Sequence, residues 1–296
     1  MSSGGGCEWD VAATRACLHP PGPRDDKYSR GVVGVRTGSA AYPGAAVLSV
    51  TGAWRAGAGM VRYLGPDPAR GLVLAHRPET VAEPGRVTCW LLGSGTDAAQ
   101  RTLAEEHALR SILSGPEPVV VDAGALDLAP GAAAPMVLTP HAGEWNRLRA
   151  ALGLAAIARD ADDAEREHAL VETARAVDAV VLLKGSATLV AEPGGALRRV
   201  RSGAPWLATA GTGDVLGGAL AAVLAAHWAA GARRPADLAD AAASAAWLHG
   251  RAAALAAHRG PEGPGPVTAL DVAESLPRAV AEAVSGSGGA GVAPVD

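Results

Sequence analysis

The chain has 296 residues, of which 49% are hydrophobic and 19% charged, with a formal net charge of −4 and a pI near 6.1. Such a length and apolar share suit an enzyme-sized α/β protein with a large core, and the charge balance argues against the clustered basic face that nucleic acid or an acidic membrane needs. Cys7, Cys17 and Cys89 are odd in number and widely spaced, which supports neither a disulfide framework nor a zinc site and fits a reducing cytoplasm.

In chain order, residues 1–24 read as disordered or extended and 285–296 as a disordered tail, because both ends are rich in Gly, Ser and Ala. No basic region followed by an apolar core marks a secretory leader. Residues 25–284 read as one domain. Short apolar runs predict strands at 32–35, 60–64, 87–92, 118–122, 136–138, 179–183 and 187–191. Longer amphipathic stretches predict helices at 44–56, 98–114, 144–152, 162–177, 213–230, 238–259 and 271–284. The alanine-rich run at 219–230 is interrupted by His227 and is too short to span a bilayer. The Gly/Pro-rich piece 260–266 predicts a surface loop. Phe is absent, so Trp54, Trp90, Trp145, Trp206, Trp228 and Trp247 are expected to fill the core.

This alternation predicts an α/β fold with a mainly parallel sheet covered on both faces. Ligands of such sheets collect at the carboxyl ends of the strands. Asp122, the segment Thr139-Pro140-His141 and the pair Lys184-Gly185 all fall at that edge. There is no Gly-x-x-x-x-Gly-Lys-Ser/Thr, and Gly211, Gly213 and Gly217 are out of register for Gly-x-Gly-x-x-Gly, so neither a P-loop nor a Rossmann dinucleotide site is expected.

The strongest local signal is Ala208 to Gly218, where Gly211, Thr212, Gly213 and Asp214 open a predicted helix. Free amides and the positive dipole end there suit an anion, and Asp214 could take a proton from a hydroxyl attacking phosphorus. The competing reading makes Asp214 a helix cap and the glycines a tight turn. Lys184-Gly185-Ser186-Ala187-Thr188 joins two apolar runs as a hairpin turn would, so it reads either as a phosphate-holding turn or as an ordinary one with a solvated Lys. Lys occurs only at 27 and 184 in a chain that otherwise uses Arg, which favours a role for Lys184. His141 reads either as a substrate contact or as a surface His beside a cap, with Glu144 in the first turn of the next helix. His227, His249 and His258 lie on predicted helices without metal-ligand spacing.

Taken together, several segments resemble the ADP/ATP-dependent NAD(P)H-hydrate dehydratases of the ribokinase-like superfamily, from Lys27 to about Val280. They include Tyr42-Pro43-Gly44-Ala45-Ala46, Gly57-Ala58-Gly59-Met60-Val61-Arg62, Val121-Asp122-Ala123, Leu138 to Glu144, Leu183-Lys184-Gly185, Ala208 to Leu216, Leu248-His249-Gly250 and Thr268-Ala269-Leu270-Asp271.

The resemblance implies a three-layer fold and a repair lyase that phosphorylates the ring hydroxyl of (S)-NAD(P)H hydrate with ADP, or ATP, and then expels phosphate. It implies that Asp214 activates the hydroxyl while the amides of Gly211, Thr212 and Gly213 stabilise the transferring group. Residues 184–188 and Gly213 would hold the nucleotide, and Ala45, Gly95, His141 and Asp214 would line the hydrate pocket. Mg²⁺ is expected with the nucleotide, without a protein-built metal site. A cytoplasmic homo-oligomer, often a tetramer among relatives, is also implied.

Two departures from the family pattern stand out. The loop Gly93-Ser94-Gly95-Thr96-Asp97 is shorter than usual and lacks proline, and the first loop reads Arg36-Thr37-Gly38-Ser39 where two glycines before the Ser are common. There is no room for the epimerase domain some relatives carry in front, so epimerisation is expected to be spontaneous or separate. A small-molecule kinase of the same superfamily, and a nucleotide-binding protein without turnover, are the alternatives.

Overall fold

The computed structural model describes residues 6–258 and 263–286. Its nine strands are β1 (Cys7–Glu8), β2 (Val32–Arg36), β3 (Met60–Tyr63), β4 (Cys89–Leu92), β5 (Val119–Val121), β6 (Met136–Leu138), β7 (Val180–Leu183), β8 (Thr188–Ala191) and β9 (Leu197–Val200). They form one sheet in the order β1-β9-β8-β7-β6-β5-β4-β2-β3. Every pairing is parallel except those of β8, which runs antiparallel to β7 and β9. β5 and β7 are buried along their whole length, as strands covered on both faces must be, and this is why they read as unbroken apolar runs.

Among the described residues the α-helices are α1 (Val11–Cys17), α2 (Pro43–Arg55), α3 (Asp67–His76), α4 (Leu103–Leu113), α5 (Ala142–Ala151), α6 (Asp163–Val177), α7 (Thr212–Ala229), α8 (Pro235–Ala257) and α9 (Ala269–Ser285). One core joins the sheet to α1, α2, α3, α7, α8 and α9, and a second joins it to α4, α5 and α6. The result is the expected three-layer α/β/α arrangement. α7 is apolar nearly all round, the mark of a helix enclosed by others. It can approach α2 closely because Gly52 and Gly218 sit at the crossing, where a Cβ would run into the backbone of Val215 and Ser49 respectively. That crossing brings the N-terminal turns of α2 and α7 to the same edge of the sheet.

All seven predicted strands and all seven predicted helices are present, with three kinds of difference. Residues 7–17 form an edge strand and a helix: Asp10 accepts the Ala13 amide as N-cap, and Thr14 and Cys17 are buried. Residues 1–5 and 287–296 lie outside the described residues, as do 259–262 of the predicted loop. The predicted helix 98–114 divides into a 3₁₀ turn at Ala98–Gln100 and α4. Arg101 is extended between them, with its guanidinium on Asp127 and the Gly124 carbonyl, and Thr102 starts the second segment by accepting the Glu105 amide.

β9 and α3 were not expected. Two arginines interrupt the apolar pattern of β9, and Arg198 is buried because Glu192 and Asp240 meet it at 3.2 and 2.7 Å. In α3 only Ala69 and Val73 are buried, too few to make a visible stripe. The tryptophan expectation needs correcting: Trp145 and Trp247 are core residues, Trp54, Trp90 and Trp228 are half-buried, and Trp206 is exposed on a 3₁₀ turn over Pro205–Leu207.

Candidate active site

β4, β5, β6 and β7 are successive neighbours in the sheet, so the loops leaving their carboxyl ends deliver Ser94, Asp122, His141 and Lys184 to one place. Lys184 follows β7 and donates its backbone N–H to the Pro140 carbonyl at 2.9 Å, which fastens the loop after β6 to the loop after β7. Its ammonium lies 2.9 Å from Asp122 Oδ1 and 3.9 Å from Glu144 Oε2. The other Asp122 oxygen accepts the Ser94 hydroxyl at 3.0 Å. Asp122 and Ser94 are buried, a position in which a carboxylate needs both partners. Burial works to lower the Lys184 pKa, but Asp122 and then Glu144 and Asp214 outweigh it and hold the ammonium charged. Lys184 is therefore an ion-paired residue, not a solvated one.

α7 opens at the same edge. Its N-cap, Gly211, has φ of 87°, a left-handed conformation that glycine adopts at little cost, and a Cβ there would also press on Leu48. No side chain caps this helix, so the Gly213 and Asp214 amides in its first turn are open to the oxygens of a ligand. Thr212 ties the preceding loop to the helix start, donating its hydroxyl to the Leu207 and Thr209 carbonyls. Asp214 occupies the third helical position, and its carboxyl pKa is pushed up to about 7. Burial is the main cause and the neighbouring Asp122 charge adds to it, against the opposing pull of Lys184 and of the nearby Ser94 hydroxyl. A carboxylate that titrates near neutrality is suited to accept a proton in a reaction.

Two clefts flank this group. The first, of about 520 Å³, runs between the 184–188 turn, the loop around residues 203–208 and the first turn of α7, and its walls include Lys184, Gly185, Ser186, Thr188, Thr212 and Gly213. The second, of about 550 Å³, is walled by residues including Tyr42, Thr96, Asp97, Glu144 and Arg147. Lys184 lines the first cleft and Glu144 the second, and their ion-pair contact makes this group the partition between them.

Of the expected nucleotide residues, Lys184, Gly185, Ser186, Thr188 and Gly213 reach the first cleft, while Ala187 does not line it. Asp214 stands beside Gly213 at its end. Ala45, Gly95 and His141 are outside the second cleft's lining, although their neighbours Tyr42, Thr96 and Glu144 belong to it. Ala45 and Gly95 touch each other: a Cβ on Gly95, whose φ is 67°, would overlap that of Ala45. His141 is the N-cap of α5, its Nδ1 accepting the Gly143 and Glu144 amides while Glu144 accepts the His141 N–H at 2.8 Å. The cap in the sequence reading is thus His141 itself, and the ring remains 56% exposed.

Asp122, Ser94 and His249 were not assigned roles from the sequence. Asp122 was placed at the ligand edge of the sheet, and its partners Ser94, after the adjoining β4, and Lys184, after β7 one strand beyond β6, could have been matched to it only from the order of the strands. His249 lies in the middle of α8, and nothing in the sequence distinguishes it from a core histidine.

The sequence pattern of the NAD(P)H-hydrate dehydratases matches residues 33–278. The bifunctional NAD(P)H-hydrate repair enzyme of Mycobacterium tuberculosis is 47% identical over 217 residues, 69% of this chain and 43% of that enzyme. This chain therefore spans less than half the length of that relative. The ADP-dependent (S)-NAD(P)H-hydrate dehydratase of Xanthomonas campestris is 34% identical over 228 residues, covering 68% of this chain and 74% of that one. The crystal structure of the ADP/ATP-dependent NAD(P)H-hydrate dehydratase from Bacillus subtilis, co-crystallised with ATP and Mg²⁺, superposes with a TM-score of 0.78 at 26% identity. It covers 94% of this chain and 98% of that one. The same fold is found in a ribokinase-like superfamily protein of Enterococcus faecalis, with a TM-score of 0.76 at 20% identity over 96% of this chain and 98% of that one. Among the described residues no helix is long and apolar enough to cross a membrane. On the match over residues 33–278 and this shared fold, the chain belongs to the NAD(P)H-hydrate dehydratase family.

Proposed function

We propose that this chain dehydrates (S)-NAD(P)H hydrate to NAD(P)H at the expense of ADP, with Asp214 as the base. The observation that carries the reading is a carboxyl with its pKa near 7 in the first turn of an uncapped helix, within electrostatic reach of the Lys184–Asp122 pair.

The nucleotide occupies the first cleft, its phosphates toward Lys184 and the open amides of α7. The hydrate approaches from the side of Ala45, Gly95 and His141. Asp214 accepts the proton as the ring hydroxyl oxygen bonds to the terminal phosphorus, and the bridging P–O bond breaks to release AMP. The open amides of Gly213 and Asp214, with that of Gly211 beside them, stabilise the charge that builds on the transferring group, while the expected Thr212 amide is turned to the Thr209 carbonyl. In the second stage the ring C–O bond breaks and phosphate departs with the bonding electron pair, while the adjacent ring carbon passes its proton to water and the C–H electrons form the restored double bond. Phosphate leaves far more readily than hydroxide, which is the purpose of the first stage.

Among the described residues no group of three His, Cys, Asp or Glu side chains could hold a metal ion. Mg²⁺ would be carried by the oxygens of the nucleotide phosphates, which Lys184 and the open amides of α7 would hold. When bound it supplies charge neutralisation between the polyanions.

Asp214→Asn tests the assignment, because it keeps the shape of the side chain and removes its basicity. Turnover should be abolished while ADP binding, followed by calorimetry, stays within a few-fold of the parent. Turnover close to that of the parent would refute the base role.

A further inference from the structure

α5 carries two neighbouring arginines with opposite fates. Arg149 is 2% exposed, and its guanidinium is engaged by the Ala155 and Ala169 carbonyls, the Thr173 hydroxyl and Glu172, which ties α5 to α6. Arg147 stands two residues earlier and so on the other side of the helix. It is exposed in the wall of the second cleft, and among the described residues its guanidinium makes no hydrogen bond or ion pair.

The other charged groups of that wall are carboxylates, and each is already held. Asp97 caps a 3₁₀ turn by accepting the Ala99 amide, and Asp127 is paired with Arg101 at 2.7 Å. Glu144 accepts the His141 N–H and lies 3.9 Å from Lys184. Among the described residues, Arg147 is therefore the cation of the second cleft and its charged group still without a partner. A Cβ placed on Gly143 would lie 3.9 Å from Arg147 Nη1. The side chain thus leans back over the preceding turn, as long helical side chains do, toward the end of α5 that His141 caps. The rise from His141 to Arg147 is about 9 Å along the axis, and the lean of the guanidinium shortens that span.

A dinucleotide hydrate carries its reacting ring one ribose away from a doubly charged pyrophosphate. A wall with carboxylates from Asp97, Asp127 and Glu144 repels such a ligand unless a cation offsets them. The planar fork of an arginine also matches the oxygens of a phosphate. We propose that Arg147 holds the pyrophosphate of the hydrate in the second cleft and so fixes the ring beside His141 while it is phosphorylated. This rests on the reading of the chain as a hydrate dehydratase. It makes Arg147 a substrate-binding residue that serves NADH hydrate and NADPH hydrate alike, since both carry the pyrophosphate, and it leaves the nucleotide in the first cleft untouched.

Arg147→Gln removes the charge and keeps most of the side chain's length. KM for either hydrate should rise about tenfold, the usual loss of a charge-assisted contact, with kcat and the dissociation constant of ADP within about twofold of the parent. Arg147→Lys keeps the charge without the fork and should fall between the two. Added salt should raise KM of the parent more steeply than that of Arg147→Gln. Titration of the intact chain with NADH, read from the dinucleotide's own fluorescence, should show the same weakening without turnover. An unchanged KM would mean an ordinary solvated arginine, and a rise confined to NADPH hydrate would give the guanidinium to the 2′-phosphate instead; either overturns the proposal. A matching loss of ADP affinity would overturn it too, by placing Arg147 at the nucleotide. If the parent turns over neither hydrate, the dehydratase reading fails and the NADH titration decides the proposal. Weaker binding by Arg147→Gln would then keep Arg147 as a pyrophosphate contact, whereas equal binding, or none by the parent, would remove it.

Discussion

Lys184 Nζ lies 2.9 Å from Asp122 Oδ1 across the ends of two strands separated by β6, and this pair sets the electrostatics in which Asp214 works. The Asp122 charge raises the Asp214 pKa and the Lys184 charge lowers it. The two residues thus pull the proposed base in opposite directions from a single ion pair.

With the Asp214 pKa at about 7, kcat/KM should fall about tenfold per pH unit well below neutrality and level off above it. Replacing Asp122 by Asn removes the repelling charge and should move this limb to lower pH. Lys184→Met removes the attracting charge and should move it to higher pH. A pH–rate profile of each variant reads the shift, and opposite directions cannot arise from a general loss of structure.

The same carboxyl makes a stability prediction. Its folded pKa is raised above the ordinary value of 3.8, so between about pH 4 and 7 the folded state holds a proton that the unfolded chain releases, and stability falls as pH rises through that window. Asp214→Asn has no such dependence. It should be more resistant to urea than the parent at pH 8, with the gap closing toward pH 4. A constant gap would mean that the carboxyl is not perturbed.

The contact between Gly95 and Ala45 predicts a coupled pair. Gly95→Ala introduces both a left-handed φ for a residue with a Cβ and an overlap with Ala45, and should cost about 1–3 kcal/mol. Adding Ala45→Gly should recover the overlap part and leave the φ part. A double-mutant cycle in urea measures this, and strict additivity would contradict the contact.

His141 is both a helix cap and the expected hydrate contact, and two substitutions separate these roles. Asn is a strong N-cap and Ala is not, so His141→Asn should retain stability while His141→Ala loses about 1 kcal/mol. If the ring also meets the hydrate, both variants should raise KM for hydrate with little change in ADP binding. An unchanged KM in His141→Asn would confine His141 to the cap.

The strands and helices that carry the site were legible because each is a sustained apolar run, short in Val180–Leu183 and long in Thr212–Ala229. β9 was hidden by Arg198, whose charge is buried against partners on other elements, and the break at Arg101 depends on Asp127 and Gly124 far along the chain. The 184–188 turn and the start of α7 could be read locally. The pairing of Lys184 with Asp122, 62 residues away, required the order of the strands, and the place of His249 in the first cleft's wall required the packing of α8.

The most direct measurement combines the purified chain with Mg²⁺, enzymatically prepared NADH hydrate, and ADP or ATP, following dihydronicotinamide absorbance and released phosphate together. Recovery of absorbance that depends on nucleotide and matches phosphate mole for mole, and that is lost in Asp214→Asn, is the predicted result. A stable phosphate ester with no recovery of absorbance, formed by protein that binds ADP, would contradict the account and mark the chain as a kinase.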